Sequence, residues 1–291
     1  MIARLRRLWT ALLMAALLSI LADMLGLISP PGGFVWVLAV IGAIVLLSAA
    51  MGVAPRAPVK EPVEVAAPVR GRWIAVNSPG QKIPSHGGAR SRGQLSAADI
   101  THPTHHEHDE NPPLVRRGWR GSRPEEFTCF GAPIRAMADG TVTETADGQR
   151  DQRARNTWPT LLWMMTVEGA VRELLFGYRG IFGNRVVIAH DDGTCAAYAH
   201  LKRGSVTVRP GQRVAQGDLI GRLGNTGNTS MPHLHVQLMD HPVIDAAAGI
   251  PMRWTNIELE DIDPQWQKHA KAPERSALEG MPRDGQIFRA L

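Results

Sequence analysis

The chain has 291 residues, of which 44% are hydrophobic, and a formal net charge of +5. This length allows one substantial domain with additional segments. The positive charge suits anionic polymers or lipid head groups, but no compact Lys/Arg run with interleaved aromatic residues accompanies it, which argues against nucleic-acid binding. Two cysteines, Cys129 and Cys195, are too few for a disulfide framework. We expect two unpaired core thiols, with a disulfide between them as the alternative.

Two long apolar segments stand at the start of the chain, at 8–28 and 34–53. Each has about the 20 apolar residues that a bilayer crossing needs. A cleaved signal peptide is the alternative for the first segment, but the second apolar run that follows it favours membrane attachment. We therefore predict that residues 1–53 anchor the protein. Arginines near the N-terminus favour a cytoplasmic start, and a two-span hairpin would return the rest of the chain to the cytoplasm, so the topology stays open.

The next segments predict a linker and one main domain. Residues 54–70 alternate proline with small and charged residues, which is typical of an extended linker. We assign residues 71–252 to the main domain and 253–291 to a C-terminal covering segment and tail.

Short apolar runs separated by glycine turns fill residues 131–240 and predict a mainly β, antiparallel fold. The run SVTV at 205–208 is among the predicted strands. Residues 157–176 are longer and mostly apolar, with charges late in the run. They predict a helix inserted between two strands, packed on the sheet or resting near a membrane surface.

Histidines carry the candidate chemistry. His233 and His235 lie in a strand-like run, and residues two apart in a strand share one face, so both side chains can point into one cleft. His86, Asp99 and His200 stand in two earlier patches. Zinc sites that catalyse hydrolysis use three nitrogen or oxygen ligands and leave one position open. Two histidines and one aspartate would meet that requirement.

Four sequence blocks, in this order and spacing, resemble the lysostaphin/LytM-type zinc endopeptidases, which cut peptide bonds in bacterial peptidoglycan. The blocks are FGAPIRAMADGTV, GNRVVIAHDDGT, YAHLKRGSV and VRPGQRVAQGDLIGRLGNTGNTSMPHLHVQL, and the resemblance covers residues 72–252. It implies the antiparallel β-sheet groove of a lysostaphin-type peptidase (duplicated hybrid motif-like), a Zn²⁺ cofactor and a peptidoglycan peptide substrate.

The resemblance also implies individual roles. His235 would be a zinc ligand, and His200 and His233 would be the catalytic histidines beside the metal. The first two ligands of the family are a histidine and an aspartate, for which we choose His86 and Asp99. Asn228 is a weaker candidate for binding the substrate backbone, because a turn-forming role explains it as well.

The spacing of the first two ligands departs from the family pattern, which is usually H-x-x-x-D. His86 and Asp99 are thirteen residues apart, whereas His105 and Asp109 have the short spacing. We favour His86 and Asp99, because Asp99 stands at the start of a strand and the HHEHDENPP run is typical of a solvated loop. His105 and Asp109 remain the alternative.

We therefore expect a membrane-anchored zinc endopeptidase whose peptidase domain lies outside the cytoplasm, in the cell envelope, with a regulatory protein as a further partner. The unusual ligand spacing leaves a second hypothesis open. In that hypothesis the chain is a catalytically inactive scaffold that binds a cell-wall hydrolase or peptidoglycan.

Overall fold

Helices form the N-terminal region and one insertion in the middle of the chain. The computed structural model describes residues 2–29, 33–51, 61–86 and 91–291. The helix predicted for 157–176 is present as two α-helices joined by a π-helical turn, Met164–Glu168. The α-helices are α1 (Ile2–Met24), α2 (Phe34–Met51), α3 (Trp158–Trp163), α4 (Gly169–Phe176) and α5 (Tyr178–Phe182).

The two predicted membrane spans, 8–28 and 34–53, are not supported. Among the described residues, no helix combines the length and the apolar character that a membrane crossing requires. Residues 52 and 53 of the second span, and residues 54–60 of the predicted linker, lie outside the described ranges.

Short strands joined by turns and loops follow in the described chain, as the sequence predicts. The strands are β1 (Val63–Val65), β2 (Gly71–Asn77), β3 (Ala98–Thr101), β4 (His105–His106), β5 (Asp109–Glu110), β6 (Pro133–Arg135), β7 (Gly140–Ala146), β8 (Arg185–His190), β9 (Cys195–Ala199), β10 (Arg213–Val214), β11 (Leu219–Arg222), β12 (Leu234–Met239), β13 (Met252–Trp254), β14 (Ile257–Ile262) and β15 (Gln286–Ala290).

A nine-stranded sheet organises the domain, with the order β10-β7-β8-β9-β12-β3-β2-β15-β14. Every neighbouring pair in it is antiparallel. The antiparallel β fold class is therefore confirmed. The central strands β3 and β12 come from distant parts of the chain, and their register sets Asp99 opposite His235.

Strand β12 has two different faces because its side chains alternate. Leu234, Val236 and Leu238 are fully buried in the larger hydrophobic core. His235 and Gln237 lie on the opposite face, where α5 contributes Tyr178 and Phe182 to a second, smaller core. The sheet therefore places polar β12 side chains next to an apolar cluster, in a site that water scarcely reaches.

Two details differ from the sequence predictions. The segment 253–291, predicted as a covering segment and tail, supplies β14 and β15, and β15 pairs with β2 in the main sheet. The strand predicted at 205–208 is wrong, because these residues belong to no strand. Cys129 and Cys195 are both buried and free, as expected.

Candidate metal centre and catalytic cleft

Three side chains with metal-binding atoms meet at the centre of the sheet. His86, Asp99 and His235 each bring one potential ligand atom, and these atoms lie within 4.8 Å of one another. The Asp99 carboxylate lies between the two rings, with Oδ2 at 2.9 Å from His86 Nε2 and Oδ1 at 2.9 Å from His235 Nδ1. Two imidazole nitrogens and one carboxylate oxygen are a donor set that zinc accepts. The residues present therefore fit a catalytic zinc ion.

Hydrogen bonds on the far side of both rings fix which nitrogen faces the centre. Ser85 Oγ donates to the backbone oxygen of Ala97 at 2.6 Å and can therefore accept from His86 Nδ1–H at 3.1 Å. His235 Nε2–H donates to Gln237 Oε1 at 3.0 Å. Each ring is therefore hydrogen-bonded through its outer nitrogen, and the nitrogen that faces Asp99 is the one that would bind a metal ion. Such outer partners typically orient histidine ligands and set their tautomer.

Two further histidines face the same cleft. His200 Nδ1–H donates to the backbone oxygen of Thr226 at 2.7 Å, and His233 Nδ1–H donates to that of Met231 at 2.8 Å. Their Nε2 atoms are left for the cleft, and His233 Nε2 lies 3.6 Å from Asp99 Oδ1. The His200 and His233 ring centroids are 4.7 Å apart. Both rings can therefore accept a proton at Nε2.

Burial and neighbouring charges shift the pKa values of Asp99, His200 and His233. Burial lowers the pKa of His200 well below its usual value, and the nearby His233 and His235, whose protonated forms would repel a second positive charge, lower it further. Burial also lowers the pKa of His233, although Asp99 opposes this shift. Burial disfavours the charged form of Asp99, but the neighbouring histidines outweigh it and hold the pKa of Asp99 well below the ordinary range. The cleft thus holds a carboxylate beside two neutral imidazoles at neutral pH.

A chain of hydrogen bonds connects His235 to the inserted helix. Gln237 Nε2 donates to the backbone oxygen of Arg92 at 2.6 Å. The Arg92 guanidinium pairs with Glu173 of α4 through two hydrogen bonds, at 2.5 and 2.7 Å, and with Asp245 at 2.9 Å. Arg92 has a positive φ of 61°, a conformation uncommon for a residue with a side chain. The orientation of His235 therefore depends on a loop that α4 holds in place.

Two adjoining cavities open at the histidines. One cavity of about 220 Å³ is lined by all five side chains, the four histidines and Asp99, and also by Met164 of the inserted helical segment. A second cavity of about 270 Å³ shares Asp99 and His233 with it and is lined by Trp266 of the C-terminal segment. Asn228 lines the first cavity, and its buried Oδ1 has no hydrogen-bond partner among the described residues.

The structure brings together His86, Asp99, His200, His233 and His235. The alternative pair lies elsewhere: His105 and Asp109 stand on the exposed β4–β5 hairpin and take no part in the cluster.

Two residues that hold the cluster in place have no predicted role from the sequence. One is Asn77, whose Nδ2 donates to Asp99 Oδ2 at 2.8 Å. The other is Gln237, which a signal in the sequence could have identified. It stands two residues after His235, so strand alternation puts it on the same face.

Similarities to known proteins cover the second half of this site. Residues 165–245 match the family described as Peptidase family M23. This range contains His200, His233 and His235, whereas His86 and Asp99 lie before it. The three-dimensional arrangement therefore supplies the two candidate ligands that the family match does not reach.

Individual relatives are similar over limited segments. The chain is 43% identical over 72 residues to peptidoglycan DD-endopeptidase ShyA of Vibrio cholerae serotype O1, which is 24% of this chain and 16% of that protein. It is 30% identical over 141 residues to glycyl-glycine endopeptidase ALE-1 of Staphylococcus capitis, which is 48% of this chain and 30% of that protein. The chain thus spans less than a third of either relative.

Among solved structures, the catalytic domain of the antimicrobial peptidase lysostaphin from Staphylococcus simulans is similar, with 21% identity and a TM-score of 0.27. The match covers 46% of this chain and 88% of that one.

Proposed function

We propose, on the premise that this chain carries a domain of peptidase family M23, that it is a zinc-dependent endopeptidase that hydrolyses peptide bonds in bacterial peptidoglycan. The observation that carries the proposal is the cluster of His86, Asp99 and His235, whose ligand atoms lie within 4.8 Å of one another beside two further histidines. The peptidoglycan substrate is taken from the relatives, because ShyA and ALE-1 are named as endopeptidases.

His86 Nε2, Asp99 and His235 Nδ1 would hold the zinc ion. A zinc ion at such a site lowers the pKa of water towards neutrality and polarises a carbonyl oxygen. Asn77 and Gln237 keep the carboxylate and the imidazole of this set in place through their side-chain amides. The antiparallel sheet that carries these residues is, in this proposal, the groove-bearing sheet of a lysostaphin-type peptidase.

His200 and His233 would move the protons of the reaction. Because burial keeps both rings neutral, each can accept a proton at Nε2 while its Nδ1–H remains bonded to a backbone oxygen. After accepting a proton, the same nitrogen can donate it to the leaving amine or stabilise a developing negative charge. The substrate backbone would lie along the groove, with the side-chain amide of Asn228 as a candidate hydrogen-bond partner.

We place this activity in the cell envelope, because that is where peptidoglycan lies. The exposed leucines of α1 support attachment to a membrane, which would keep the peptidase close to its substrate. A regulatory protein partner remains a further part of the proposal. A reporter fused after Leu291 tests the location, since a cytoplasmic reporter would contradict the cell-wall assignment.

The central experiment is the substitution His235→Ala in the full chain, with zinc content and hydrolysis of purified peptidoglycan as readouts. We expect both to be lost, because two of three ligands do not hold a catalytic zinc ion. His105→Ala is the matched control, since it removes the exposed histidine of the alternative pair and should leave both readouts unchanged. Zinc and activity retained in His235→Ala would overturn the assignment.

The same measurement on the unmodified chain decides between an enzyme and a scaffold. An inactive scaffold that binds a cell-wall hydrolase or peptidoglycan would hydrolyse nothing, whether or not it held zinc. The thirteen-residue spacing of His86 and Asp99 is the feature that keeps this alternative open. Their 2.9 Å approach favours the enzyme.

A further inference from the structure

The inserted helical segment, residues 158–176, has its apolar side chains directed outward. Trp158 is 71% exposed and Met165 is 72% exposed, although both belong to a domain with a large, well-packed core. The most exposed large side chains of the segment are all apolar: Trp158, Leu162, Trp163, Met165, Leu175 and Phe176. A helix on the surface of a water-soluble domain normally shows the opposite arrangement.

The charged side chains of the segment are directed inward. Glu168 is 10% exposed and pairs with Arg155 at 2.9 Å and with Arg172 at 2.9 Å. Glu173 pairs with Arg92 beneath the helix. Because every charged residue of the segment is held against the domain, the outward face has no charge. An outward face of this kind is suited to an apolar environment rather than to water.

The neighbouring elements extend this face. Helix α1 packs against α4, and Leu17, Leu18 and Leu21 of α1 are themselves exposed. The apolar face of the insertion thus lies beside a helix that also exposes leucines. In membrane proteins, tryptophans are enriched at the level of the lipid head groups. Trp158 and Trp163 occupy the two ends of α3.

A basic loop borders the same segment. The backbone N–H of Arg116 donates to the oxygen of Asn156 at 2.8 Å, which ties this loop to the start of α3. Arg117 and Arg120 are exposed in it, and Trp119 between them is 84% exposed. Arginines and a tryptophan beside an uncharged face are the composition that anionic lipid surfaces attract.

We propose that the outward face of residues 158–176 lies in the interfacial region of an anionic lipid bilayer, alongside α1. A lipid surface fits better than a protein partner, because the face lies beside the apolar N-terminal helix and has arginines at its border. Met164, in the middle of the segment, also lines the cleft, so this contact places the cleft next to the bilayer. The proposal extends the proposed membrane attachment from the N-terminal helices to the domain itself.

The test measures the depth of a single nitroxide label in the full chain bound to vesicles of phosphatidylcholine and phosphatidylglycerol. Leu162→Cys places the label on the proposed contact face. Leu259→Cys is the matched control, because Leu259 is another exposed leucine and lies on the edge strand β14. The two native cysteines are buried, and burial raises the pKa of both thiols to about 11, so they react slowly with the label.

Collisions with oxygen report a lipid environment, and collisions with a water-soluble nickel chelate report water. We expect the label at 162 to favour oxygen and the label at 259 to favour nickel. Equal access of nickel to both labels would overturn the proposal. A label at 162 that neither reagent reaches would also overturn it, because that result indicates a protein contact. A chain that does not float with the vesicles would overturn it as well. The readout involves neither zinc nor hydrolysis, so its failure would leave the peptidase proposal standing.

Discussion

Gln237 offers the sharpest test of how the fold holds a metal ligand. Its side chain is fully buried, accepts a hydrogen bond from His235 Nε2–H at 3.0 Å and donates to the backbone oxygen of Arg92 at 2.6 Å. The substitution Gln237→Leu removes both bonds and keeps a similar volume. His235 then loses the partner that fixes its tautomer, and the oxygen of Arg92 loses its buried donor.

Two magnitudes follow. Loss of such an outer partner typically costs a factor of about 10–100 in metal affinity, which corresponds to about 1.4–2.7 kcal/mol. Each buried polar group left without a partner costs about 1–3 kcal/mol, so the free energy of unfolding should fall by about 2–6 kcal/mol. Zinc affinity is measured by competition with a chromophoric chelator, and stability by urea denaturation of the metal-free chain.

Two controls separate orientation of the ligand from loss of stability. Gln237→Glu keeps an acceptor for His235 but sets a carboxylate against the oxygen of Arg92, so stability should fall while zinc affinity is largely retained. Asn111→Leu removes a buried amide that bonds to Pro103 and Thr128 outside the cleft, and should lower stability alone. A change in zinc Kd below about threefold in Gln237→Leu, which is under 1 kcal/mol, would refute the reasoning.

Two other predictions concern the histidines. His233→Ala should lower hydrolysis of peptidoglycan by about 10²–10⁴-fold and leave zinc stoichiometry unchanged, since His233 moves protons and holds no metal; loss of zinc in this variant would show that it is a ligand. Burial and the neighbouring His106 lower the pKa of His102 to about 3. In the unfolded chain this pKa is about 6.5. Neutral His102 therefore contributes stability that is present above pH 6.5 or so and is lost as the pH falls towards about 3. His102→Phe keeps a ring next to His106 but cannot titrate, so urea denaturation at pH 7 and pH 5 should show a smaller loss of stability on acidification than in the unmodified chain; an equal loss would contradict this role.

The sequence predicts the parts of the site that depend on local periodicity. Alternation along a strand is enough to place His233 and His235 on one face, and the same rule extends to Gln237. The approach of His86 to Asp99 is not local. It depends on the loop between β2 and β3, where Ser85 bonds to Leu95 and Ala97. The approach of Asp99 to His235 depends in turn on β3 lying next to β12, and no periodicity in the chain encodes that pairing.

Tertiary contacts also explain why the sequence predicts neither the pairing of β14 nor the inward face of the inserted helix. The run that forms β14 begins with alternating apolar and acidic residues, which is a strand pattern, but that pattern does not show that β15 is its partner at the edge of the sheet. The inserted helix turns its charged side inward because of two ion pairs. Glu173 pairs with Arg92, which is distant in sequence, and Glu168 pairs with Arg155, which belongs to the adjoining loop. The helical character of the insertion follows from composition, whereas the choice of its inward face follows from these ion pairs.

The bonds through Arg92 have a practical consequence for biochemistry on this protein. This series of hydrogen bonds begins at the imidazole of His235 and ends at the carboxylate of Glu173. Glu173 belongs to α4, the helix whose opposite side is uncharged. We expect a displacement of that helix, in bilayer, detergent or buffer, to reach the ring of His235 through Arg92 and Gln237. The choice of solubilising medium becomes an experimental variable of the metal centre itself, to be fixed before affinities from two preparations are compared.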